Sequence, residues 1–288
     1  MITPELVGLC LQKLAVGKAC GPDNVSVKHI LYAYPCFVLA LCILFRTIFI
    51  NHCVPTAFGV GTIVLLVKDK SKNFNDIDNY RPIALIPVIS KIFEHVILCL
   101  CKERLSSDEL QFGFKRGLGC NEAFYALRTT VSHFTSAGST VYLAALDINF
   151  KEAFDSVHHD KLFDSLVSSG VPYGIVNILR HWYSILCVNV KWGSRCSQFF
   201  AVFNGVRQGS VLSPTIFNVF INVFIVRLRH LSFGCHLRSM FIGCLLYADD
   251  LLLICPSVRG LQTMLDVCVF TADSVCLFSM LINHIVWQ

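Results

Sequence analysis

The sequence predicts an α+β fold, and three observations carry that prediction. Apolar residues recur at helical spacing in several long segments, as at positions 92, 93, 96, 97 and 100. Between such segments stand short β-branched or alternating apolar runs: TIVLLV (62–67), VYLAALDI (141–148), VNVKWG (188–193) and FFAVFNG (199–205). The two kinds of segment are mixed along the chain, with no internal repeat, low-complexity tract or obvious linker, which favours helices packed on antiparallel sheet. Of the 288 residues, 55% are apolar and only 15% charged, against about 25% charged in an average soluble domain. So much apolar surface collapses in water, which excludes disorder.

From the N-terminus, a helix is expected over residues 3–17, a turn at Gly17, Gly21 and Pro22, and a mostly apolar helix after Pro35. The run from Ile30 to Phe45 is shorter than the roughly 20 residues a membrane span needs, and extending it past Arg46 would place a guanidinium in lipid. A buried helix and no membrane are expected. The strand 62–67 leads into a polar loop (68–79), and a helix spans 90–105. A glycine-rich loop with Lys115 and Arg116 follows, then a helix capped by Asn121 that ends before Gly138. The strand 141–148 comes next. Asp160 caps a helix burying Leu162, Phe163, Leu166 and Val167, and Gly170 and Pro172 stop it. A further helix runs through Trp182 and Leu186, and alternation then signals a hairpin. Ser213-Pro214 is a helix start, with Ser as cap and Pro in the first turn. FIGCLLYADDLLLIC (241–255) reads as two apolar strands around an acidic turn, followed by a helix from Ser257.

Fifteen cysteines, an odd number without a C-x-x-C pair, fit small buried hydrophobes in a reducing compartment better than a metal or disulfide framework. The N-terminus lacks the apolar core of a signal peptide, so an intracellular chain is expected, in nucleus or cytoplasm. A net charge of +5 leaves room for a polyanionic partner.

The acids at 249 and 250 stand where they are least expected. The chain has only 19 Asp and Glu residues, yet Asp249 and Asp250 sit together between GCLLYA and LLLIC. Two carboxylates about 4 Å apart repel by roughly 4 kcal/mol at an effective dielectric near 20. A plain polar hairpin is one reading, although the glycine usual in tight hairpin turns is absent. A divalent-cation site is the other. Asp147 ends its own apolar strand, and if the two strands are neighbours, three carboxylates converge as the skeleton of a two-metal phosphoryl-transfer site.

Tyr247-Ala248-Asp249-Asp250 between apolar strands resembles the palm hairpin of reverse transcriptases. Further segments resemble the same family in the same order: GKACGPD (17–23), NYRPIALIPVISKIFEHVI (79–97), LQFGFKRGLGCNEA (110–123), LDINFKEAFDSVHHDKLF (146–163) and NGVRQGSVLSPTIFNVFIN (204–222). The chain is similar to LINE-type, non-LTR retrotransposon enzymes. The resemblance implies a right-hand polymerase-like fold of fingers and palm, with an antiparallel palm sheet and packed helices. Residues 1–50 would form an N-terminal helical extension and residues 51–288 the reverse transcriptase domain, truncated before the thumb.

The resemblance also implies roles. Asp147 and Asp249 would bind two Mg²⁺ ions, or Mn²⁺ in their place, with Asp250 beside them. Phe154 would lie under the sugar of the incoming deoxynucleoside triphosphate and exclude a 2′-hydroxyl. Gln208 and Gly209 would approach the templating pair, Arg81 and Lys115 would reach phosphates, and Arg116 and Arg207 would contact an RNA template and DNA primer. The family places its aromatic five residues after the metal-binding Asp, whereas Phe154 follows Asp147 by seven. Either Asn149-Phe150 is an insertion or Asn149 takes the metal position. That misfit, a lysine-free tail (278–288) and the end at Gln288 lead to the expectation of a decayed copy that polymerises poorly. Two alternatives are a catalytically dead nucleic-acid-binding remnant and an apolar membrane protein whose YADD is accidental.

Overall fold

A computed structural model describes residues 2–148 and 153–277, and the backbone of residues 281–286. The chain begins with α1 (Pro4–Gln12), α2 (Val27–Tyr32), α3 (Cys36–Asn51), α4 (Thr56–Gly59), β1 (Val60–Val67), β2 (Tyr80–Leu85) and α5 (Val88–Leu100). It continues through α6 (Cys120–Ser136), β3 (Tyr142–Asp147), α7 (Ala153–Ser156), α8 (His159–Ser168), α9 (Tyr173–Ser184), β4 (Cys187–Trp192), β5 (Arg195–Cys196) and β6 (Phe200–Ala201). The last part holds α10 (Ser213–Arg229), β7 (His236–Leu237), β8 (Met240–Phe241), β9 (Cys244–Tyr247), β10 (Asp250–Cys255), α11 (Val258–Ser274) and β11 (Leu281–Val286). These elements form two compact units, Met1–Leu105 with Phe163–Pro214, and Ser106–Leu162 with Thr215–Gln288.

Local chemistry accounts for most boundaries. The Thr3 hydroxyl accepts from the Leu6 amide and Pro4 takes the first turn of α1. Ser257 does the same for α11, accepting from the Gly260 amide at 3.1 Å. Three caps differ from the sequence expectation, among them Ser213, which is the first residue of α10 and not the residue before it. Gly119, not Asn121, precedes α6, and its amide donates to the Glu122 carboxylate at 2.7 Å, so the acid at the third helical position satisfies the end. The helix α8 starts at His159, which places Asp160 inside its first turn, and Val167 is 44% exposed rather than buried. β2 was not expected at all, because Pro82 interrupts its apolar run. It is tolerated because β2 is an edge strand.

In the first unit a five-stranded sheet has the order β2-β1-β4-β5, with β6 also paired to β4. β1 and β4 run parallel, and the other pairs are antiparallel. Its core is aromatic: Phe93 lies 5.0 Å from Phe45, 6.0 Å from Phe58 and 5.7 Å from Trp182, ring centre to ring centre. Against this cluster sits a buried ion pair. Arg207 Nη2 donates to Glu94 Oε1 at 3.1 Å, and Nη1 donates to the Phe58 carbonyl at 3.0 Å. The guanidinium also lies 4.9 Å over the Trp182 ring. Glu94 accepts further from the Ser210 hydroxyl (2.7 Å) and the Val211 amide (2.6 Å), so its carboxylate organises the whole 207–211 turn.

The second unit holds the sheet β11-β3-β10-β9, antiparallel throughout as expected for the acidic strands. α11 packs on β10 and β3, and its Met264, Leu265 and Cys268 are buried. All fifteen cysteines are free thiols; seven are buried as small hydrophobes, four are partly buried, and Cys36, Cys53, Cys120 and Cys196 are exposed, contrary to that reading. No helix among the described residues is long and apolar enough to cross a membrane. Arg46, which interrupts the apolar run of α3, donates through Nε to the Ile2 carbonyl at 2.8 Å.

Glu94→Ala should destabilise the chain by about 3–5 kcal/mol, because it leaves the Arg207 cation buried without its partner. The midpoint of urea unfolding measures this, and a shift equivalent to under about 1 kcal/mol would show the pair to be dispensable.

Candidate active site

The site is built on the end of the second unit's sheet. Tyr247 pairs with Asp250, so Ala248 and Asp249 form a two-residue turn between β9 and β10. With no glycine there, Ala248 itself takes the left-handed conformation, φ +56°, at a cost of about 1–2 kcal/mol for a side chain with a Cβ. On its other edge β10 pairs with β3 so that Asp250 stands opposite Asp147, and the Ile148 amide extends the pairing to the Asp249 carbonyl at 3.1 Å. Directly opposed residues share a face of the sheet, which brings Asp147 and Asp250 together beside Asp249.

The electrostatics follow from that crowding. Partial shielding from water, and then the carboxylates of Asp249 and Asp147, push the Asp250 carboxyl above its ordinary value. Among the described residues, no three or more His, Cys, Asp or Glu side chains are gathered closely enough to hold a metal ion. The acids share one sheet end, Asp147 opposite Asp250 and next to the Asp249 turn. The donor type fits a hard divalent cation: oxygen ligands and an excess of negative charge that the Asp250 carboxyl registers. Asn149, the alternative ligand, lies outside the described residues.

Other expected site residues divide between the units. In the second, Phe154 is half-buried, stacked 4.5 Å from Phe217 at 17° and edge-on to Phe114 at 5.6 Å. Lys115 is partly buried with Nζ on the Asp108 carbonyl, 2.5 Å away, and burial lowers its pKa. Arg116 is exposed. In the first unit, Arg81 is exposed on β2. Gln208 accepts at its carbonyl from the Ala84 amide at 2.6 Å. Gly209 has φ +105°, and a Cβ there would lie 2.6 Å from the Ala84 carbonyl oxygen, so only glycine fits. Arg207 is a correction. It is 8% exposed and its guanidinium is spent on Glu94, Phe58 and Trp182, so it shapes the Gln208-Gly209 turn from inside rather than touching nucleic acid.

Sequence reasoning missed Gln111. This residue is fully buried, and its amide meets the Ala248 peptide from both sides: Oε1 accepts from the Ala248 amide (3.0 Å) and Nε2 donates to the Ala248 carbonyl (3.3 Å). The signal available was a glutamine standing in LQFGF, an apolar stretch where an unpaired amide would be costly. Its partner lies 137 residues away.

A four-stranded antiparallel sheet with acids at its hairpin end, helices packed upon it, and a second sheet-bearing unit define a polymerase fold of fingers and palm. Solved structures share it. Apo telomerase from Candida tropicalis, truncated from its C-terminal domain, superposes with a TM-score of 0.55 at 14% identity over 82% of this chain and 52% of that one. Telomerase from the same organism in complex with a fragment of telomeric RNA gives 0.53 at 13% identity, over 78% and 40%. Residues 67–277 match the family model for reverse transcriptase (RNA-dependent DNA polymerase), and the chain belongs to that family. Its relatives are non-LTR retrotransposon proteins. It is 27% identical to the Pol polyprotein of the R2DM element of Drosophila melanogaster over 65% of this chain and 18% of that protein. To the RNA-directed DNA polymerase of the jockey element of Drosophila funebris it is 29% identical, over 76% and 24%. The chain therefore spans about a fifth to a quarter of the relatives it matches.

The Asp250 carboxyl gives a pH-dependent test. Its folded pKa is raised, so ionising it costs folding stability: the penalty is absent below the ordinary carboxylate pKa and grows as pH rises through the raised value. Asp250→Asn should therefore raise the melting temperature at pH 7 with a chelator present and leave it nearly unchanged near pH 3.5. Equal effects at both pH values would remove the crowding.

Proposed function

We propose that this chain is the catalytic core of an RNA-directed DNA polymerase, joining deoxynucleotides to a DNA primer on an RNA template. The observation that carries the reading is the pairing of Asp147 with Asp250 beside the Asp249 turn. In the reaction the primer 3′-oxygen forms a bond to the α-phosphorus of the incoming nucleotide as the bond to pyrophosphate breaks. Asp147 and Asp249 would hold two Mg²⁺ ions, with Asp250 beside them and Mn²⁺ as a substitute. Divalent cations bound there supply an acidified primer hydroxyl and a counter-charge for the reacting phosphate.

The remaining roles belong to the chain itself. Phe154, braced against Phe217, offers a rigid ring where a ribose 2′-hydroxyl would otherwise fit. Gln208 and Gly209 would line the templating pair. Arg81, Lys115 and Arg116 would meet phosphates, Lys115 after leaving the Asp108 carbonyl. The names of the relatives support the RNA template and the DNA product, as does the neighbouring telomerase bound to telomeric RNA. A second reading, a remnant that binds nucleic acid without chemistry, is favoured by the seven-residue spacing from Asp147 to Phe154.

Primer extension on an RNA template with Mg²⁺ separates the two readings. The first expects extension by the native chain and a loss of more than about 100-fold in Asp249→Ala, since even groups that merely support a metal ligand are worth about 10–100-fold. Absent extension with retained primer–template binding, weakening with salt at a slope of about −0.9 per phosphate contact, selects the second. Where extension is measurable, Phe154→Val should increase ribonucleotide incorporation relative to deoxynucleotide on the order of tenfold. An unchanged ratio would return Phe154 to the hydrophobic core.

A further inference from the structure

We infer that Gln111 is the positioning residue of the acidic turn: its side-chain amide holds the Ala248 peptide in the left-handed conformation and thereby sets where Asp249 and Asp250 present their carboxylates. The inference rests in part on the reading that these acids take a divalent cation.

Ala248 adopts φ +56° in a turn that offers no glycine, so the conformation has to be imposed from outside. Gln111 is suited to do so. A primary amide is a side-chain group that accepts and donates as a peptide does, and both functions are used on one residue, with Oε1 on the Ala248 amide and Nε2 on its carbonyl. The same Oε1 also accepts from the Gly113 amide at 2.7 Å, which fixes the side chain against its own backbone. Glutamate could not donate to the carbonyl, and asparagine is one methylene short.

The segment carrying Gln111 is itself locked to the hairpin. The Phe112 amide donates to the Leu246 carbonyl at 2.7 Å and the Leu246 amide to the Leu110 carbonyl at 2.8 Å, so residues 110–112 extend the edge of β9. Gly113 then passes so close to the turn that a Cβ there would lie 2.3 Å from the Ala248 nitrogen, and its carbonyl accepts from Asn218 Nδ2 of α10 at 2.8 Å. The contacts run without a break from α10 through Gly113 and Gln111 to the peptide that precedes the two acids. The Gln111 amide bonds the backbone of Ala248 and Gly113, which makes it a positioning residue and not a ligand.

The test compares the native chain with Gln111→Met, which keeps the length and apolar bulk and removes both hydrogen bonds, and with Gln111→Met carrying Ala248→Gly. Glycine adopts positive φ without strain, so it should relieve the need for the clamp. Two readouts are taken: deuterium uptake of a peptide spanning residues 244–253, and Mn²⁺ affinity by electron paramagnetic resonance, with Asp249→Ala as the control for the metal site. Gln111→Met should speed exchange at the turn more than tenfold while β3 stays protected. It should also weaken Mn²⁺ about tenfold, and Ala248→Gly should recover part of that loss. A role in general packing would not be rescued by a glycine in the turn. Unchanged exchange at the turn would overturn the clamp, and faster exchange with unaltered Mn²⁺ affinity would overturn its hold on the carboxylates. If the native chain binds no Mn²⁺ while Gln111→Met still loosens the turn, the clamp stands and the metal reading fails.

Discussion

The register between β3 and β10 is the constraint on which the site depends. Side chains alternate across a strand, so a slip of one residue would send Asp147 or Asp250 to the opposite face of the sheet and part the two carboxylates. Apolar burial on both faces holds the two strands together: Leu143 and Leu146 of β3, and Leu251, Leu253 and Ile254 of β10, are all buried, at roughly 1.5–3 kcal/mol each. A hydrophobic pattern thus holds two like charges opposite each other, a contact that neither acid would make on its own account.

A comparable arrangement, with charge inside rather than at an edge, organises the first unit. Glu94 comes from the middle of an apolar helix, and its two oxygens collect Arg207, Ser210 and Val211. The Ser210 hydroxyl in turn accepts from the Leu212 and Ser213 amides, so the carboxylate also prepares the start of α10. A buried pair of this kind contributes little net stability over a hydrophobic substitute. Its effect is geometric: it fixes the path of residues 207–211, and with it the close approach of Gly209 to Ala84.

What the sequence made legible was whatever local pattern or unusual charge encodes. The strands 62–67 and 141–148, the hairpin around Asp249, the helices after Pro35 and Ser257, and the helical stripe from Ser90, whose helix ends at Leu100 and not at Leu105, announce themselves through periodicity, caps and an acid pair in a charge-poor chain. The order of motifs made the family legible. What stayed hidden is set by partners far along the chain. β2 carries a proline that only an edge position excuses, and the parallel pairing of β1 with β4 joins strands more than a hundred residues apart. Arg207 reads as a surface cation until Glu94, 113 positions earlier, is seen beside it. Gln111 carries no charge and no catalytic chemistry, and its apolar neighbourhood signals only that the amide needs a partner, not that the partner is Ala248, 137 residues away.

These cases share a physical form that bears on how such a chain tolerates change. In each unit a turn that carries proposed site residues is held by one polar side chain from a buried, distant segment: Glu94 for 207–211 and Gln111 for 248. Turns at ligand sites cannot be stabilised by burying their own side chains, because those must remain free for substrate, so the hydrogen bonds that fix them have to arrive from behind. The supporting residue must then be polar inside the core, where an unmet partner costs about 1–3 kcal/mol, and must be matched to one backbone shape. Loss of such a support would loosen the turn while leaving the sheet and the family motifs recognisable. A copy of this domain could therefore keep YADD intact and still lose its chemistry through a single substitution at a residue that touches no substrate.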